Sequence, residues 1–172
     1  MIHLRSLTLA RGSQPLLEDV ELQVHDGWRV GLVGANGSGK SSLLAMLRGE
    51  LQPELGECAV PAGWRITTVL QETPALPRAA IEYVLDGDEQ LRGVEHALAA
   101  ALAAHDGERI SLLHAELETI DGFAARARAS ALMAGLGFST DDLERAVAEF
   151  SGGWRMRLQL ARALVSRADL ML

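Results

Sequence analysis

Apolar and polar residues alternate at the start of the chain. The apolar members of this pattern are Ile2, Leu4, Leu7 and Leu9, and then Val20, Leu22 and Val24. Alternation with a period of two is typical of strands that bury one face. Residues 11–15, between the two runs, include Gly, Ser and Pro and predict a turn. We therefore expect two strands joined by a short turn.

The next segments are assigned from run length and composition. Residues 28–33 are mostly apolar, which predicts a strand buried on both faces. A glycine-rich loop follows, and residues 41–48 predict a helix. Residues 52–57 contain Pro and Gly and predict a turn, whereas the β-branched residues within 64–70 predict another strand.

Residues 79–148 are rich in alanine, and their apolar residues repeat at helical spacing. One stripe consists of Leu91, Val94, Leu98 and Ala101, and a second of Ile110, Leu113, Leu117 and Ile120, continued by Ala124, Ala127 and Ala131. Residues 105–108 separate the stripes and predict the tip of an antiparallel helical hairpin. The pattern leaves open whether this hairpin packs as a helical subdomain or projects as an arm. Residues 139–142 predict a capping box that opens a short helix.

Composition and charge narrow the class of protein. The chain has 172 residues, 48% of them hydrophobic and 23% charged, which is typical of a globular domain. The net charge of −7 argues against nucleic-acid binding through overall basicity. No apolar run approaches the roughly 18 residues of a membrane helix, and Cys58 is the only cysteine. We therefore expect a cytoplasmic protein with no membrane segment and no internal disulfide.

Residues 34–41 match the phosphate-binding pattern G-x-x-x-x-G-K-[ST]. Glycines allow successive backbone N–H groups to point at phosphate oxygens, and the N-terminus of the following helix attracts anions. Lys40, the only lysine in the chain, is expected to contact the β- and γ-phosphates, and the Ser41 hydroxyl to hold Mg²⁺. The predicted nucleotide contacts are Gly34, Ala35, Asn36, Gly37, Ser38, Gly39, Lys40, Ser41 and Ser42.

A second candidate anion site precedes a predicted helix at residues 154–165. Ser151 is a favourable N-cap residue, and Gly152 and Gly153 leave the first helical amides uncovered. The segment 151–167 contains four arginines and no acidic residue. Alone, this pattern is more often a helix cap than a functional site, but together with the phosphate loop it indicates a nucleotide site.

These two motifs resemble those of the ABC ATPase family. Residues 34–41 are similar to its Walker A motif. Residues 151–153 are similar to its signature motif, with Phe150 and Trp154 in place of the usual flanking residues. In this family the signature of one domain closes over ATP held by the Walker A motif of another. The resemblance therefore implies that Ser151, Gly152 and Gly153 serve a partner site.

The same resemblance assigns two further residues. Gln71, which follows the predicted strand 64–70, is similar to the Q-loop glutamine, and the family places that residue near Mg²⁺ and the attacking water. The resemblance implies ATP and Mg²⁺ as cofactors, and Lys40 and Gln71 as catalytic residues. Many ABC domains stack adenine on an aromatic residue near the end of the first strand. Arg11 stands at that position, and a guanidinium group can also stack on a base.

Four stretches are closer to the ABC-F branch of this family, whose members are soluble ATPases that act on ribosomes. They are residues 71–77, 82–88, 135–139 and 150–158. The resemblance implies an α/β fold, in which an incomplete ABC-type P-loop core carries an antiparallel β subdomain and an inserted α-helical arm. It implies a nucleotide-binding core at 1–78, a helical subdomain with an arm-like hairpin at 79–149, and the signature helix with the start of the Walker B strand at 150–172.

Residues 169–172 resemble the start of the Walker B strand, after which the family places an aspartate and the catalytic glutamate. We therefore expect the amino-terminal part of the first ATP-binding domain of a larger protein, which hydrolyses ATP only when intact. ATP binding and hydrolysis would close and open its two ABC domains. The implied role is in translation or antibiotic protection, with the ribosome or its RNA as partner.

Two other interpretations stay open. An ATP-binding subunit of an ABC membrane transporter shares all three nucleotide motifs, although the helical insert favours the ABC-F branch. A P-loop kinase or GTPase is disfavoured by the Ser-Gly-Gly element and by the lack of an N-K-x-D box.

Overall fold

The computed structural model describes residues 1–11, 14–69 and 74–172. The chain divides into two units, Met1–Ile66 together with Leu172, and Thr67–Met171. The first unit holds an antiparallel sheet and the glycine-rich loop, and the second holds the helical hairpin.

The sheet of the first unit has three strands in the order β2-β1-β3. The strands are β1 (Ile2–Arg11), β2 (Gln14–Val24) and β3 (Leu55–Ala59), and β1 pairs antiparallel with both neighbours. The two strands expected from the alternation are thereby confirmed. Helix α1 (Lys40–Leu47) follows the glycine-rich loop, within one residue of the predicted start.

The apolar pattern of β1 shifts by one position in the middle of the strand. Ile2 and Leu4 are buried, and burial then resumes at Leu7 and Leu9. The pairing register shifts between Leu4 and Leu7, where Ser6 adopts a positive φ of 42°. A bulge of this kind changes which face the following residues occupy. The irregular spacing therefore keeps all four apolar side chains on the buried face.

The predicted buried strand at residues 28–33 is wrong. These residues form no strand in the part of the chain that the structure describes, and Trp28 and Val33 are 61% and 89% exposed. A strand needs a neighbour that completes its hydrogen bonds. Neither described sheet pairs with this segment, so its apolar composition does not produce a strand.

The turn predicted at residues 52–57 is shorter than expected, because β3 already begins at Leu55. Gly56 has the backbone conformation of a turn, with φ of 78°. Its backbone nevertheless lies so close to β1 that a Cβ atom there would overlap the carbonyl oxygens of Arg5 and Ser6. Pairing with β1 therefore overrides the local turn composition of Leu55–Ala59.

The described part of the second unit contains five α-helices. They are α2 (Ala80–Leu85), α3 (Glu89–Ala103), α4 (Gly107–Thr119), α5 (Ala125–Gly135) and α6 (Gly152–Val165). Short 3-10 helices occur at Gly122–Ala124, Asp141–Glu144 and Val147–Glu149. Two-residue strands, β4 (Ile66–Thr67) and β5 (Leu170–Met171), form a second sheet. The strand predicted at residues 64–70 is thus confirmed only at β4 within its described part.

The predicted hairpin is formed by α3 and α4. Asp88 and Asp106 cap the two helices by accepting hydrogen bonds from the third amide beyond them, and His105 makes the turn at positive φ (54°). The apolar side chains near its base, including Leu91 and Leu117, belong to the same buried cluster as α2, α5 and α6. Residues 102–109 at its far end are exposed. The hairpin is therefore packed against the core at its base and exposed to solvent at its tip.

The predicted continuation of the second stripe into α5 is wrong. Ala127 and Ala131 are exposed, whereas Ala125, Ala129 and Met133 are buried. The helical path breaks between α4 and α5, where Asp121 adopts a positive φ of 51° and a 3-10 turn follows. This break changes the helical phase, so that a different face of α5 meets the core.

Helix α2 joins the other helices of the second unit through polar contacts. Glu82 accepts hydrogen bonds from Arg92 of α3 at 2.6 Å and from Arg126 of α5 at 3.1 Å. Next to it, Tyr83 donates to the buried Gln159 of α6. Burial alone lowers the pKa of Arg92, but hydrogen bonds to Glu95 and Glu82 outweigh burial and raise that pKa. Arg92 therefore remains charged within this helix junction.

We predict that Gly87→Ala strongly destabilises the second unit. A Cβ atom at Gly87 would overlap the backbone carbonyl of Arg162 in α6, which cannot move as a side chain could. We expect a loss of about 2–3 kcal/mol in the free energy of unfolding. Hydrogen–deuterium exchange of peptides from α2 and α6, measured in the full-length protein, should show faster exchange.

Gly93→Ala is the matched control for this change. Gly93 lies within α3, and a Cβ atom there meets nothing within 4 Å. Alanine should stabilise the helix by up to about 1 kcal/mol. Equal exchange rates in the two variants would contradict the close approach of α2 and α6.

Candidate functional site

The glycine-rich loop of the first unit is a tight, exposed turn before α1. Ser38 donates a backbone hydrogen bond to the Ala35 carbonyl at 3.2 Å. Gly37 and Gly39 have φ values of 82° and 91°, a conformation that other residues adopt only with strain. At Gly39 a Cβ atom would also lie 2.9 Å from the Cβ of Leu16 on β2. Gly37 and Gly39 are therefore required by the backbone of the loop.

The Lys40 side chain folds back over this loop. Its Nζ atom donates to the carbonyl oxygens of Gly34 at 2.8 Å and of Ala35 at 2.7 Å. An ammonium group carries three donors, so one donor is left for an anion bound in the loop. The predicted lysine is thus held by the same backbone that would surround a phosphate group.

The N-terminus of α1 adds to the positive potential of the loop. Gly39 occupies the N-cap position and supplies no side-chain cap, and the first turn contains no acidic residue. The first amides of the helix therefore point toward the loop without a capping oxygen. Ser41 is exposed and Ser42 is half-buried in the same turn. The structure thus brings residues 34–42 together in one loop and helix start.

Two predicted site residues cannot be placed in this way. Arg11 ends β1, but its side chain lies outside the described part of the structure. Gln71 lies outside the described residues altogether. Their expected contacts with adenine and with Mg²⁺ therefore stay predictions.

The second motif lies at the start of α6, in the other unit. Ser151 occupies the N-cap position with extended backbone (ψ 161°), yet its side chain makes no capping hydrogen bond. Residues 151–153 are exposed, and a Cβ atom at Gly152 or Gly153 would meet nothing within 4 Å. The first turn of α6 has no acidic residue. An uncapped, exposed helix start of this kind can accept an anion.

A group of aromatic rings next to this motif was not assigned any role from the sequence. Phe138 packs edge-on against Phe150, with ring centroids 5.7 Å apart, and against Trp154, at 4.9 Å. The cavity beside them measures about 240 Å³ and is lined by Asp142, Arg145, Glu149, Phe150, Ser151 and Trp154. Phe150 and Trp154, on either side of the Ser-Gly-Gly element, could have indicated this cluster in the sequence. Their common partner, Phe138, lies 12 residues before Phe150, and no local pattern connects it to them.

The predicted capping box stands at the edge of this cavity. The Ser139 hydroxyl donates to the Asp142 carboxylate at 2.7 Å, and the Asp142 amide lies 3.3 Å from the Ser139 hydroxyl oxygen. Hydrogen bonds to the carboxylate from the Ser139 hydroxyl, the Ser139 amide and the Arg145 guanidinium hold the pKa of Asp142 below its ordinary value. The box opens the 3-10 helix Asp141–Glu144, so the expectation of a short capped helix is confirmed.

No helix among the described residues combines the length and the hydropathy that crossing a membrane requires.

Comparison with known proteins places the chain among ATP-binding cassettes. A family model described as "ABC transporter" matches residues 17–172. The whole chain is 49% identical over 172 residues to the probable ATP-binding protein YheS of Escherichia coli K12, of which it covers 27%. It is 38% identical over 179 residues to the human ATP-binding cassette sub-family F member 3, covering 99% of this chain and 24% of that protein. The chain thus spans about a quarter of the length of these relatives.

A solved structure supports the fold assignment. The ATP-binding subunit of an ABC transporter superposes with a TM-score of 0.61 at 20% identity, over 96% of this chain and 62% of that one. This likeness confirms the predicted α/β fold of ABC type. The matches together show that the chain belongs to the ABC transporter family and confirm its resemblance to the ABC-F branch.

Proposed function

We propose that residues 34–42 bind the phosphates of ATP. The observation that carries this proposal is the position of Lys40, whose ammonium group is fixed across the Gly34 and Ala35 carbonyls beside an uncapped helix start. Gly37 and Gly39 curve the backbone of this loop, and residues 34–38 are exposed, so a phosphate group can reach it. Lys40 would contact the β- and γ-phosphates through its remaining donor.

The same site suits a magnesium–nucleotide complex. Ser41 is exposed in the first turn of α1, where its hydroxyl can serve as a metal ligand. When bound with ATP, Mg²⁺ neutralises the phosphate charge and polarises the γ-phosphoryl group. Gln71 is proposed to act near the metal and the attacking water, and Arg11 to stack on adenine.

We propose that residues 151–153 serve a second ATP molecule, held by the Walker A motif of another ABC domain in the same full-length chain. Their support is the exposed, uncapped start of α6 and the four arginines of the segment 151–167. Lys40 and Ser151 lie in different units of this chain, so each motif forms without residues of the other.

For the intact protein we propose a cytoplasmic ABC-F ATPase that acts on the ribosome, in translation or antibiotic protection. ATP binding would close its two ABC domains and hydrolysis would open them. The similarity to a sub-family F protein supports this role, as does a helical hairpin whose tip at residues 102–109 is exposed and can contact a partner. In this assignment residues 79–149 form the helical subdomain and residues 150–172 carry the signature helix.

A second candidate function is the ATP-binding subunit of a membrane transporter. The fold likeness to such a subunit favours it, and the nucleotide loop is compatible with both functions. The similarity at 49% identity to YheS and at 38% to a sub-family F protein favours the first function.

Lys40→Ala should weaken magnesium–ATP binding by roughly 10- to 100-fold, because it removes a charged hydrogen-bond donor from the phosphates. Isothermal titration calorimetry on the full-length protein, with its second site disabled, measures this directly. Arg48→Ala is the matched control, since Arg48 ends the same helix and pairs at 2.6 Å with the exposed Glu50. Equal affinities of the wild type and Lys40→Ala would contradict the proposed site.

The 172-residue chain alone should bind magnesium–ATP without multiple turnovers, because none of its carboxylates is predicted to orient the attacking water. Phosphate release measured over many equivalents of ATP tests this expectation. Sustained release that Lys40→Ala abolishes would show that the chain contains a complete hydrolytic site.

The two candidate functions differ in their partners. A hydrolysis-deficient full-length protein should sediment with ribosomes in the presence of ATP, because the closed state would persist. The control is the same protein in ADP, which should remain in the supernatant. Purification with a membrane permease, and no ribosome binding in either nucleotide, would favour the transporter subunit.

A further inference from the structure

The signature motif of this chain has little support of its own. The Ser151 side chain makes no capping bond, and no atom lies within 4 Å of the place where a Cβ atom would stand at Gly152 or Gly153. Gly152 and Gly153 are the first residues of α6, where the Arg155 amide donates to the Ser151 carbonyl at 2.9 Å, but glycine side chains add no packing that would hold this turn. If residues 151–153 are to receive a phosphate group without a large ordering cost, their conformation must be fixed from outside the motif.

Two aromatic residues flank the motif and share one partner. Phe150 precedes Ser151, Trp154 follows Gly153, and both rings meet Phe138 edge-on, with interplanar angles of 73° and 67°. Phe138 and Phe150 are each 5% exposed. Edge-on aromatic pairs at these distances are attractive beyond the area that they bury. The three rings therefore fix both ends of a three-residue segment against one buried side chain.

Arginine side chains cover the outer faces of the same rings. The guanidinium of Arg145 lies 4.5 Å from the centroid of Phe150, and that of Arg157 lies 4.6 Å from the centroid of Trp154. Arg155 also donates to the Phe150 carbonyl at 3.1 Å. These contacts restrain the ring planes and the backbone just before Ser151.

The turn before Phe138 lies against Arg157 and Trp154 of α6. Gly137 has φ of 94°, and a Cβ atom there would lie 3.3 Å from Arg157 Nη1 and 3.8 Å from the Trp154 ring. Arg157 in addition donates to the Leu136 carbonyl at 3.2 Å. The segment 135–139 and the signature segment are therefore built against each other.

We propose that Phe138 and Trp154 are positioning residues for the signature motif: they hold residues 151–153 in the conformation that receives the phosphates of the partner-site ATP. This inference rests on the proposed function of the signature. This role requires no contact between either side chain and ATP. They act by fixing backbone amides before the nucleotide arrives, so their loss affects closure of the ATP site and leaves nucleotide capture by Lys40 unchanged.

The test compares Trp154→Leu and Phe138→Leu with the wild type in the full-length protein. Both variants should lower kcat for ATP hydrolysis about tenfold. Trp154→Leu removes one aromatic pair and the stacked Arg157 guanidinium, and Phe138→Leu removes two aromatic pairs. The Kd for ATP at the Lys40 site should stay within about twofold. Trp154→Phe, which keeps an aromatic ring, should recover most of the rate.

Phe123→Leu is the matched control, because Phe123 is an aromatic residue of the same unit that is 68% exposed and stacks only on His114 among its described ring contacts. Its kcat should equal that of the wild type. If either leucine variant fails to fold, Arg157→Gln decides the question, since Arg157 is exposed and its loss should lower kcat about threefold.

Two results would overturn the proposal. One is an unchanged kcat in Trp154→Leu, or an unchanged kcat in Arg157→Gln if a leucine variant does not fold. The other is a loss of kcat accompanied by an equal loss of ATP affinity and not restored by Trp154→Phe, which would mean that the cluster only stabilises the fold. Failure of the proposed function is distinct, because the wild type itself would then show no ATPase activity that depends on Lys40.

Discussion

The Lys40 ammonium group gives the glycine-rich loop both a structural contact and a positive charge. Lys40 closes the loop onto Gly34 and Ala35, at a point where the preceding residues 28–33 pair with no described strand. The sheet approaches the loop through Leu16, which lies against Gly39. The group that would bind phosphate is therefore also the group that holds the binding loop.

In the second unit, a single short helix links the hairpin to the signature helix. Glu82 of α2 bonds Arg92 at the base of the hairpin, and the adjacent Tyr83 bonds Gln159 of α6 within the buried core. A buried polar pair loses stability steeply when one partner is withdrawn. The base of the hairpin and α6 therefore move together or lose this contact.

Features of the fold that depend on neighbouring residues in the sequence were predictable. The phosphate loop is contiguous, so its residues could be named from one short motif, and the hairpin follows from two stripes and a polar tip. The errors lie where distant segments decide. Residues 28–33 lack a strand partner among the described strands, Leu55 is extended by pairing with β1, and the phase of α5 changes at Asp121. None of these contacts leaves a periodic signal in its own segment.

The two candidate anion sites use the same backbone chemistry but are held by different contacts, and only the contacts at Lys40 could be predicted from the motif itself. At Lys40 the support is a charge within the motif itself, so the motif alone specifies the site. At Ser151 the support is the cluster of Phe138, Phe150 and Trp154, which meets only because Gly137 and the 3-10 turns fold residues 136–149 back. At the signature the Ser151 side chain makes no capping bond to the first amides of α6, whereas Lys40 must share its three donors between the loop carbonyls and the phosphate.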